Sequence, residues 1–543
     1  MTARHKTIFG AAALAAVAVV ICGVTLGGML VFAFWPYPLE NFEGGCAWAA
    51  KIWAAGGGLY VDGLGGRVPI YNYPPLYVTL LRIFAVPGMP FLAGRLISVA
   101  SVAGLAALAF AFVRRAEADR RQLGGLLPMP AGRRRADAGR FAAATAAAAV
   151  LLTRDNMLYG QMARCDALAA VLSLAGVWTA YWWASSRADA ERRRPAGSGQ
   201  EPPSLSRTPI RGSRRSFRLA ASAAICVAAW FAKQTAVAAP IAVFVWLIAN
   251  DWRAALRFAV YYALLLGGAI ALAEMVFHGL FLRNVLGFSL TSYSLTILTT
   301  FLTRYFRAAT WPWRAISVTG PVLGVLAARR GGWRQTPWLA YFAACVLGLA
   351  TLGKEGASMF YFFEFNAACA VGFGLGIGRI SFFDRAAGRA VLAGAALFLA
   401  AFAAADQYNI YGHLRTAGEA DAVALVRRAP GPVLLEDSGY GLVAGVRQLD
   451  LINPFLATRL AERGKFDFSP WMDNIRAGRY ALIQLESPAE RPSYPTGQRF
   501  PPALLRQIAW NYVFVGVAGH GFFYVPKPVK PRSAETTPPP PPG

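Results

Sequence analysis

The chain has 543 residues, of which 56% are hydrophobic and only 15% are charged, and its mean hydropathy is +0.41. An average soluble domain is about 45–50% apolar and about 25% charged, so this composition excludes an ordinary soluble protein. The net charge of +26 comes largely from arginines that cluster between apolar runs, at residues 114–140 and 187–218. This pattern is typical of cytoplasmic loops rather than of a nucleic-acid surface, so we expect no nucleic-acid partner.

The apolar residues form blocks of about the length that crosses a bilayer as a helix, roughly 20 residues. Block length and flanking charge predict about eleven spans, from residues 8–34 to a last span that ends near Ala405. The first block follows a short basic stretch, as a signal peptide does. It exceeds the usual apolar region of about 7–15 residues, and no small-residue cleavage site follows it. We therefore expect an uncleaved first helix and a multi-pass protein of the bacterial-type inner (plasma) membrane, with a cytoplasmic N-terminus.

An odd number of spans predicts that the C-terminal part lies outside the cytoplasm, where its composition changes. Residues 432–435 and 480–483 are short apolar runs that predict buried strands, and residues 421–428 and 503–510 predict helices. The predicted fold class is an all-α polytopic membrane protein with a small C-terminal extracytoplasmic α/β domain. Its predicted parts are a membrane domain at 1–405 with a first outer loop at 35–90, the α/β domain at 406–526, and a disordered Pro-rich tail at 527–543.

The six cysteines are scattered, without a CxxC pair or a Cys/His cluster, so we expect no structural zinc site. A disulfide between Cys46 and Cys165, both near the predicted outer face, is one alternative for that pair. No cofactor is expected, and no group of metal-ligating residues in the sequence supports a divalent metal.

Two carboxylates, Glu40 and Glu43, follow the first predicted span directly and lie at the predicted outer interface. A carboxylate in such a low-dielectric position is suited to general-base chemistry. The alternative is that both are solvated loop charges.

Five further charged residues lie at predicted outer ends of spans, namely Arg164, Asp166, Lys233, Lys354 and Glu364. Charges at membrane depth are costly and therefore point to function. Each also has a structural alternative, because a lysine can anchor a helix end, an Arg–Asp pair can neutralise itself, and a loop lysine can be solvated.

These residues fall on a pattern that resembles the GT-C superfamily of membrane glycosyltransferases, in the protein O-mannosyltransferase and aminoarabinose transferase branch. The family has an acidic residue after the first span, followed by further residues at fixed spacings. The residues of this chain at those positions are Glu43, Ala50, Gly56, Leu59, Tyr60 and Pro74-Pro75-Leu76-Tyr77. Arg164-x-Asp166, Lys233-Gln234 and Tyr361-x-x-Glu364 match further elements of the family. Phe42 replaces the first acid of the family's Asp-Glu pair, which leaves open whether Glu40 takes over the role of the missing acid. In the last element, Phe360 replaces an Asn of the family.

The resemblance implies transfer of a sugar from a polyprenyl-phosphate donor to an extracytoplasmic hydroxyl of a lipid, glycan or protein acceptor, with membrane lipids as surroundings. It implies Glu43 as the base, with Glu40 and Asp166 as further catalytic candidates. Lys233, Arg164 and Lys354 become candidates for the donor phosphate, and Glu364, Tyr60, Tyr73 and Tyr77 for the substrate. A transporter or flippase of a lipid-linked sugar, or a non-catalytic assembly subunit, are the alternatives. The concentration of polar motifs at one predicted face, beside a soluble domain, favours the enzyme.

Overall fold

The computed structural model describes residues 17, 20–61, 71–124, 133–192, 209–289, 291–308, 311–331, 334–380, 386–416, 418–491 and 500–528. The start of the first predicted span and nearly all of the predicted tail lie outside these residues. Cys46 and Cys165 are both buried and form no disulfide with each other.

The membrane part consists of helices joined by short turns, as expected for backbone that must satisfy its own hydrogen bonds in lipid. In chain order the helices are α1 (Val20–Ala33), α2 (Asn41–Ala54), α3 (Leu76–Ile83), α4 (Leu92–Gly124), α5 (Arg133–Leu151), α6 (Arg154–Tyr159), α7 (Cys165–Arg192), α8 (Pro209–Ala232), α9 (Ala238–Asn250), α10 (Trp252–Val276), α11 (Leu295–Ala308), α12 (Trp311–Gly331), α13 (Trp338–Gly348), α14 (Phe362–Ile377) and α15 (Ala386–Thr416). A π-helical turn (Arg283–Gly287) and two 3₁₀ turns (Leu349–Gly353 and Met359–Tyr361) complete this part.

Among the described residues, four helices are long and apolar enough to cross a bilayer: Leu92–Arg120, Cys165–Ser186, Trp252–Val276 and Met359–Ile377. Seven shorter apolar helices lie at Val20–Ala33, Gly139–Leu151, Phe217–Ala232, Ala238–Asn250, Ala315–Arg329, Trp338–Gly353 and Ala393–Phe402. These helices support a multi-pass helical protein, while the count of about eleven spans stays a prediction.

The C-terminal part is an α/β structure, in line with the expected change of composition. Its elements are α16 (Glu419–Arg428), β1 (Val433–Leu435), α17 (Ser438–Ala444), α18 (Pro454–Ala461), α19 (Ser469–Arg476), β2 (Leu482–Leu485), α20 (Pro502–Asn511), β3 (Tyr512–Ala518) and β4 (Gly521–Pro526). The sheet order is β1-β2-β4-β3, with β1 parallel to β2 and the other pairs antiparallel. The parallel pair needs a crossover connection, which the three short helices α17 to α19 supply.

Chain contacts divide the protein into two compact units, and each is described separately below. The first unit contains most of the membrane helices, up to Gly412. The second unit contains the C-terminal part from His413 together with Tyr37–Trp48, which follows α1. Helix α15 runs without a break to Thr416, through the domain boundary predicted at Asp406.

Helix α14, which carries Glu364, is fixed in the first unit by close backbone packing. A Cβ on Gly320 of α12 would lie 2.3 Å from the carbonyl oxygen of Cys369, and one on Gly372 would lie 2.7 Å from the carbonyl oxygen of Gly320. The indole of Trp338 fills the adjacent space and donates a 2.8 Å hydrogen bond to the carbonyl of Ala368. Only glycine permits this approach of α12 to α14, so these contacts fix the spacing of the two helices.

A buried polar network holds the same helix from its other side. Asn366 donates from Nδ2 to Asp155 Oδ2 on α6 at 2.9 Å, and its Oδ1 accepts from the Tyr305 hydroxyl at 2.6 Å. The Tyr305 hydroxyl lies 3.0 Å from Ser317 Oγ, and its ring stacks on Phe362 with centroids 3.8 Å apart. A satisfied buried network of this kind fixes the rotation of a helix about its axis.

Candidate functional site

The site of the first unit begins with the antiparallel pairing of α7 and α8. Three contacts define this pairing: Ser186 at the far end of α7 accepts from Arg218, Gly176 accepts from Ser222, and Asp166 accepts from Lys233. The first turn of α7 therefore lies beside the end of α8. An acid in a first turn and a cation just past a last turn both interact favourably with their helix dipoles, so the fold itself favours opposite charges here.

Asp166 is saturated by two cations. Its Oδ2 accepts from Arg164 Nε at 3.0 Å, and its Oδ1 accepts from Lys233 Nζ. All three side chains are buried. The sequence left open whether Arg164 and Asp166 only neutralise each other or belong to a larger charged cluster. The structure shows both, because the pair forms and Lys233 also binds Asp166.

An aromatic pair seats the two cations. The guanidinium carbon of Arg164 lies 3.6 Å from the ring centroid of Phe360, and Lys233 Nζ lies 3.8 Å from that of Tyr361. Each contact is a cation–π interaction in a desolvated setting, where such contacts are strongest. Phe360, which appeared in the sequence as the loss of a family Asn, therefore has its own role as the surface on which Arg164 rests.

Glu364 lies in the first turn of α14 and lines the same cavity as Asp166 and Lys233. Ser173 of α7 lies near its carboxylate. The oxygen Oε1 is buried and has no hydrogen-bond partner among the described residues. A buried acceptor without a donor is costly, so this oxygen is suited to accept a hydrogen bond from a ligand or a water molecule.

The cavity that these residues line has a volume of about 30 Å³. That is room for one or two water molecules and not for a sugar ring. Its wall is mixed, with charged side chains, the aromatic residues of the 3₁₀ turn before α14, and small residues of α7 and of the segment after Lys233. In this structure it can hold only water beside Lys233, so a larger ligand requires the wall to move.

Gln234 links the site to the segment before α3 in the same unit. Its Nε2 lies within hydrogen-bonding distance of the Asn72 carbonyl, the Val285 carbonyl and Ser289 Oγ, at 3.2, 3.3 and 3.0 Å. The adjacent Tyr73 experiences the charges of Arg164 and Asp166, and its carbonyl accepts from the Tyr60 hydroxyl at 2.7 Å. The two residues of the Lys233-Gln234 element therefore have different roles. Lys233 binds the carboxylate of Asp166, and Gln234 holds the loop that carries Tyr73.

The remaining candidates of the first unit lie elsewhere. The ring of Tyr60 packs against Phe277, with centroids 4.8 Å apart, and both Tyr60 and Tyr77 are buried in the helical packing. Lys354 follows the 3₁₀ turn Leu349–Gly353 and forms an antiparallel β-bridge with Tyr293. It is not among the described residues that line the cavity. Among the candidates, the structure thus brings Arg164, Asp166, Lys233 and Glu364 together, with Tyr73 nearby.

Glu40 and Glu43 belong to the second unit, where they form the start of α2. Glu40 Oε2 accepts from the Phe42 amide at 3.0 Å, and Glu43 Oε2 accepts from the Leu39 amide at 2.9 Å. Glu43 is fully buried, whereas Glu40 is partly exposed. Both carboxylates thus order the turn that leads into α2, and the alternative of a solvated loop charge does not describe Glu43.

Sequence reasoning missed a second charged cluster, around His520 in the β3–β4 turn. His520 Nε2 lies 3.0 Å from Asp437 Oδ2, and Nδ1 lies 3.1 Å from Glu419 Oε1. Burial alone would lower the pKa of His520, but hydrogen bonds and charges from Asp437 and Glu419 outweigh it and raise the pKa to about 10. Its two carboxylate partners come from distant parts of the chain, so no spacing in the sequence could have found the cluster.

Asp437, Glu486 and His520 are the one group of described residues whose ligand atoms lie close enough together to hold a metal ion. Both ring nitrogens of His520 already face carboxylates, as in an imidazolium that donates two hydrogen bonds. A metal-ligating histidine must instead present a deprotonated nitrogen, so the geometry fits an ion pair better than a metal site.

Solved structures of ArnT and of an archaeal oligosaccharyltransferase have a similar fold. ArnT from Cupriavidus metallidurans bound to undecaprenyl phosphate has a TM-score of 0.56 and 13% identity, and the match covers 96% of this chain and 98% of that one. Its apo state gives 0.57 and 14%, with 93% and 97% covered. The apo oligosaccharyltransferase of Archaeoglobus fulgidus gives 0.50 and 11%, with 90% and 70% covered.

No protein-family model matches the sequence. A comparison with curated proteins finds no significant match either. At 11–14% identity the structural likeness concerns the fold. The expected likeness is thereby confirmed at the level of the fold, which this chain shares with ArnT and with the archaeal oligosaccharyltransferase.

Proposed function

We propose that this protein is an integral membrane glycosyltransferase that moves a sugar, a mannose-like hexose or a pentose, from a polyprenyl-phosphate donor to an extracytoplasmic acceptor hydroxyl. The observation that carries the proposal is the buried cluster of Arg164, Asp166 and Lys233 beside Glu364, in a chain with the GT-C fold. The proposed location is a bacterial-type inner membrane, with the N-terminus in the cytoplasm and the C-terminal domain outside.

Lys233 and Arg164 are proposed to bind the donor phosphate. In the reaction the bond between the sugar's anomeric carbon and the phosphate oxygen breaks, and negative charge develops on the leaving polyprenyl phosphate. Fixed cations in a site with little water stabilise such charge. Lys233 has three donor hydrogens, of which Asp166 occupies one, so others can meet phosphate oxygens without breaking the pair.

Asp166 has a supporting role in this proposal. With both oxygens engaged by cations, it is poorly placed to take a proton from an acceptor. It instead holds Arg164 and Lys233 in place before the donor arrives, which reduces the reorganisation required when charge develops.

Glu43 is proposed to be the general base. It takes the proton of the acceptor hydroxyl while the acceptor oxygen attacks the anomeric carbon, with inversion of its configuration. Glu364 is proposed to accept a hydrogen bond from the sugar through Oε1, and Tyr73 to contribute to substrate binding.

A transfer assay tests the proposal. Membranes containing the protein are incubated with radiolabelled undecaprenyl-phosphate mannose, glucose or arabinose and with cell-envelope extract from the producing organism, and the label that leaves the lipid donor is measured. Glu43→Gln keeps the size of the side chain but accepts no proton, so we expect a loss of about 10²–10⁴-fold in rate.

Glu40→Gln is the matched control, because it makes the same chemical change one helical turn earlier, and we expect it to keep a measurable part of the rate. If Glu40→Gln abolishes transfer and Glu43→Gln does not, the two roles are exchanged. If neither variant affects transfer by a protein that is active on the panel, the mechanism is wrong.

A further inference from the structure

One face of α2 is bound to the C-terminal part of the second unit. Asn41, Gly44 and Trp48 are three and four residues apart and therefore lie on one side of the helix. Asn41 donates from Nδ2 to Glu486 Oε1, and Trp48 donates from Nε1 to the carbonyl of Ser438 at 2.9 Å. Glu43 stands in the first turn of the same helix.

Between these two hydrogen bonds, α2 touches the first turn of α17 backbone to backbone. A Cβ on Gly44 would lie 2.4 Å from the amide nitrogen of Gly439 and 2.8 Å from Ser438 Oγ. A Cβ on Gly439 would in turn lie 2.8 Å from Pro38 Cβ. The two glycines thus allow a contact that a side chain on either would prevent.

The turn that receives α2 is fixed by Asp437. This fully buried residue accepts from the Gly439 amide at 2.8 Å through Oδ1, and its own amide donates to Gln484 Oε1 at 2.9 Å. Its Oδ2 faces His520, and His520 faces Glu419 on its other side. The Tyr440 hydroxyl completes the group by donating to Glu419 Oε2 at 2.6 Å.

His520 is the cation that stabilises the two buried carboxylates of Asp437 and Glu419. Two buried carboxylates near one another repel and are costly to desolvate unless a positive group is shared between them. Replacing His520 with a neutral residue therefore destabilises Asp437 in its present position, and with it the amide of Gly439 that Asp437 holds.

We propose that Gly44, Gly439, Asp437 and His520 form a positioning clamp, which sets the place of Glu43 by holding the first turn of α2. The inference rests on the role of Glu43 in the proposed function and adds to it residues that do not touch the substrate. None of the sequence motifs that resemble the glycosyltransferase family includes Gly44, Asp437, Gly439 or His520.

The size of the expected effect follows from the contact. A methyl group at position 44 must move from 2.4 Å to the ordinary contact distance of at least 3.4 Å, so α2 or the turn shifts by about 1 Å. A displacement of about 1 Å at a catalytic group can reduce the rate by about 10²-fold.

Gly45→Ala provides a matched control. The two glycines are adjacent in α2, and a Cβ on Gly45 has nothing within 4 Å. Both substitutions raise helix propensity equally. Any difference between them therefore reports the contact with Gly439.

Hydrogen exchange is measured on the peptide covering residues 37–48 of the purified full-length protein, and transfer is measured with the undecaprenyl-phosphate sugar that the panel identifies. For Gly44→Ala and His520→Gln we expect faster exchange in this peptide and a kcat lowered about 10–100-fold, with the KM for the donor unchanged. For Gly45→Ala we expect wild-type values. In the Glu43→Gln background, Gly44→Ala should reduce the residual rate no further, because residues that act through one group are not additive.

The outcomes separate the clamp from the proposed function. Unchanged exchange in both Gly44→Ala and His520→Gln overturns the clamp, whatever the activity. A lower melting temperature with normal kcat in the folded fraction shows a purely structural contact and also overturns it. If Glu43→Gln retains full transfer, the proposed base is wrong. If Glu43→Gln is inactive while Gly44→Ala and His520→Gln are fully active, the clamp alone is refuted. Should Gly44→Ala fail to fold, His520→Gln decides by the same measurements.

Discussion

Asp166→Asn gives a quantitative test of the charged cluster in the first unit. The substitution keeps the shape of the side chain and removes its charge. The side chains of Arg164, Asp166 and Lys233 are only 9%, 3% and 6% exposed, so bulk solvent has little access to the two cations. Two buried cations then remain beside one another without the carboxylate that they share.

The expected loss follows from that arrangement. Removing one partner of a buried ion pair typically costs about 3–5 kcal/mol, because the other partner is left as an uncompensated charge. Lys233→Met leaves Asp166 paired with Arg164, so we expect a smaller cost, roughly 1–3 kcal/mol. The double variant should lose less than the sum of the two, with a coupling of about 0.5–3 kcal/mol.

Thermal unfolding of the detergent-solubilised protein ranks these variants. Asp473→Asn is the matched control, because it makes the same chemical change in a surface pair with Arg476, where the side chains are 69% and 54% exposed. Such a pair is worth about 0–1 kcal/mol, so its melting temperature should stay near that of the wild type. If Asp166→Asn has the same melting temperature as the control variant, Arg164, Asp166 and Lys233 do not form a buried ion triad, and the proposed preorganising role of Asp166 is refuted.

Three other predictions concern donor binding, pH and topology. Lys233→Met should weaken binding of undecaprenyl phosphate by about 10–100-fold in a protein that remains folded, the worth of one charge-assisted hydrogen bond; unchanged affinity in titrations would remove Lys233 from the phosphate site. The folded pKa of His520, about 10, lies above its ordinary value of 6.5, so its stabilisation is complete below about pH 6.5 and is lost as the pH rises through 10. The melting temperature of wild type should therefore approach that of His520→Gln between pH 7 and 10, and a constant gap would contradict the ion pair. A phosphatase fused after residue 543 should be active and a cytoplasmic reporter silent, whereas the reverse result would overturn the proposed orientation.

The membrane character of the fold follows from quantities that a sequence displays directly. Apolar blocks and arginine-rich loops are properties of composition, and they predict helices wherever lipid demands them. In the C-terminal part the predicted strand at 432–435 and helix at 503–510 correspond to β1 and α20. The run at 480–483 begins two residues before β2, and β3 and β4 were not predicted at all. Both strands are apolar almost throughout, so they show no alternation of apolar and polar residues from which to recognise a strand.

The charged residues of the candidate site could be found because a charge at membrane depth is rare and stands out. Their grouping could not, since Asp166 and Lys233 meet only through the antiparallel pairing of α7 and α8. Lys354 had the same signal in the sequence as Lys233, yet it lies in a turn away from the described lining of the cavity. A lone cation between apolar runs thus indicates a site without saying which site.

The residues that hold the charged groups leave less trace in the sequence than the charged groups themselves. Phe360 and Tyr361 lie in an aromatic run that any membrane helix could carry, but their rings lie against Arg164 and Lys233. Gly44 and Gly45 are indistinguishable in the sequence, although a methyl group on one would overlap Gly439 and on the other would meet nothing. Sequence reasoning therefore finds groups that are expensive to bury and misses partners whose contribution is shape. If the clamp on α2 is correct, the most informative substitution in this protein adds a single methyl group and alters no charge at all.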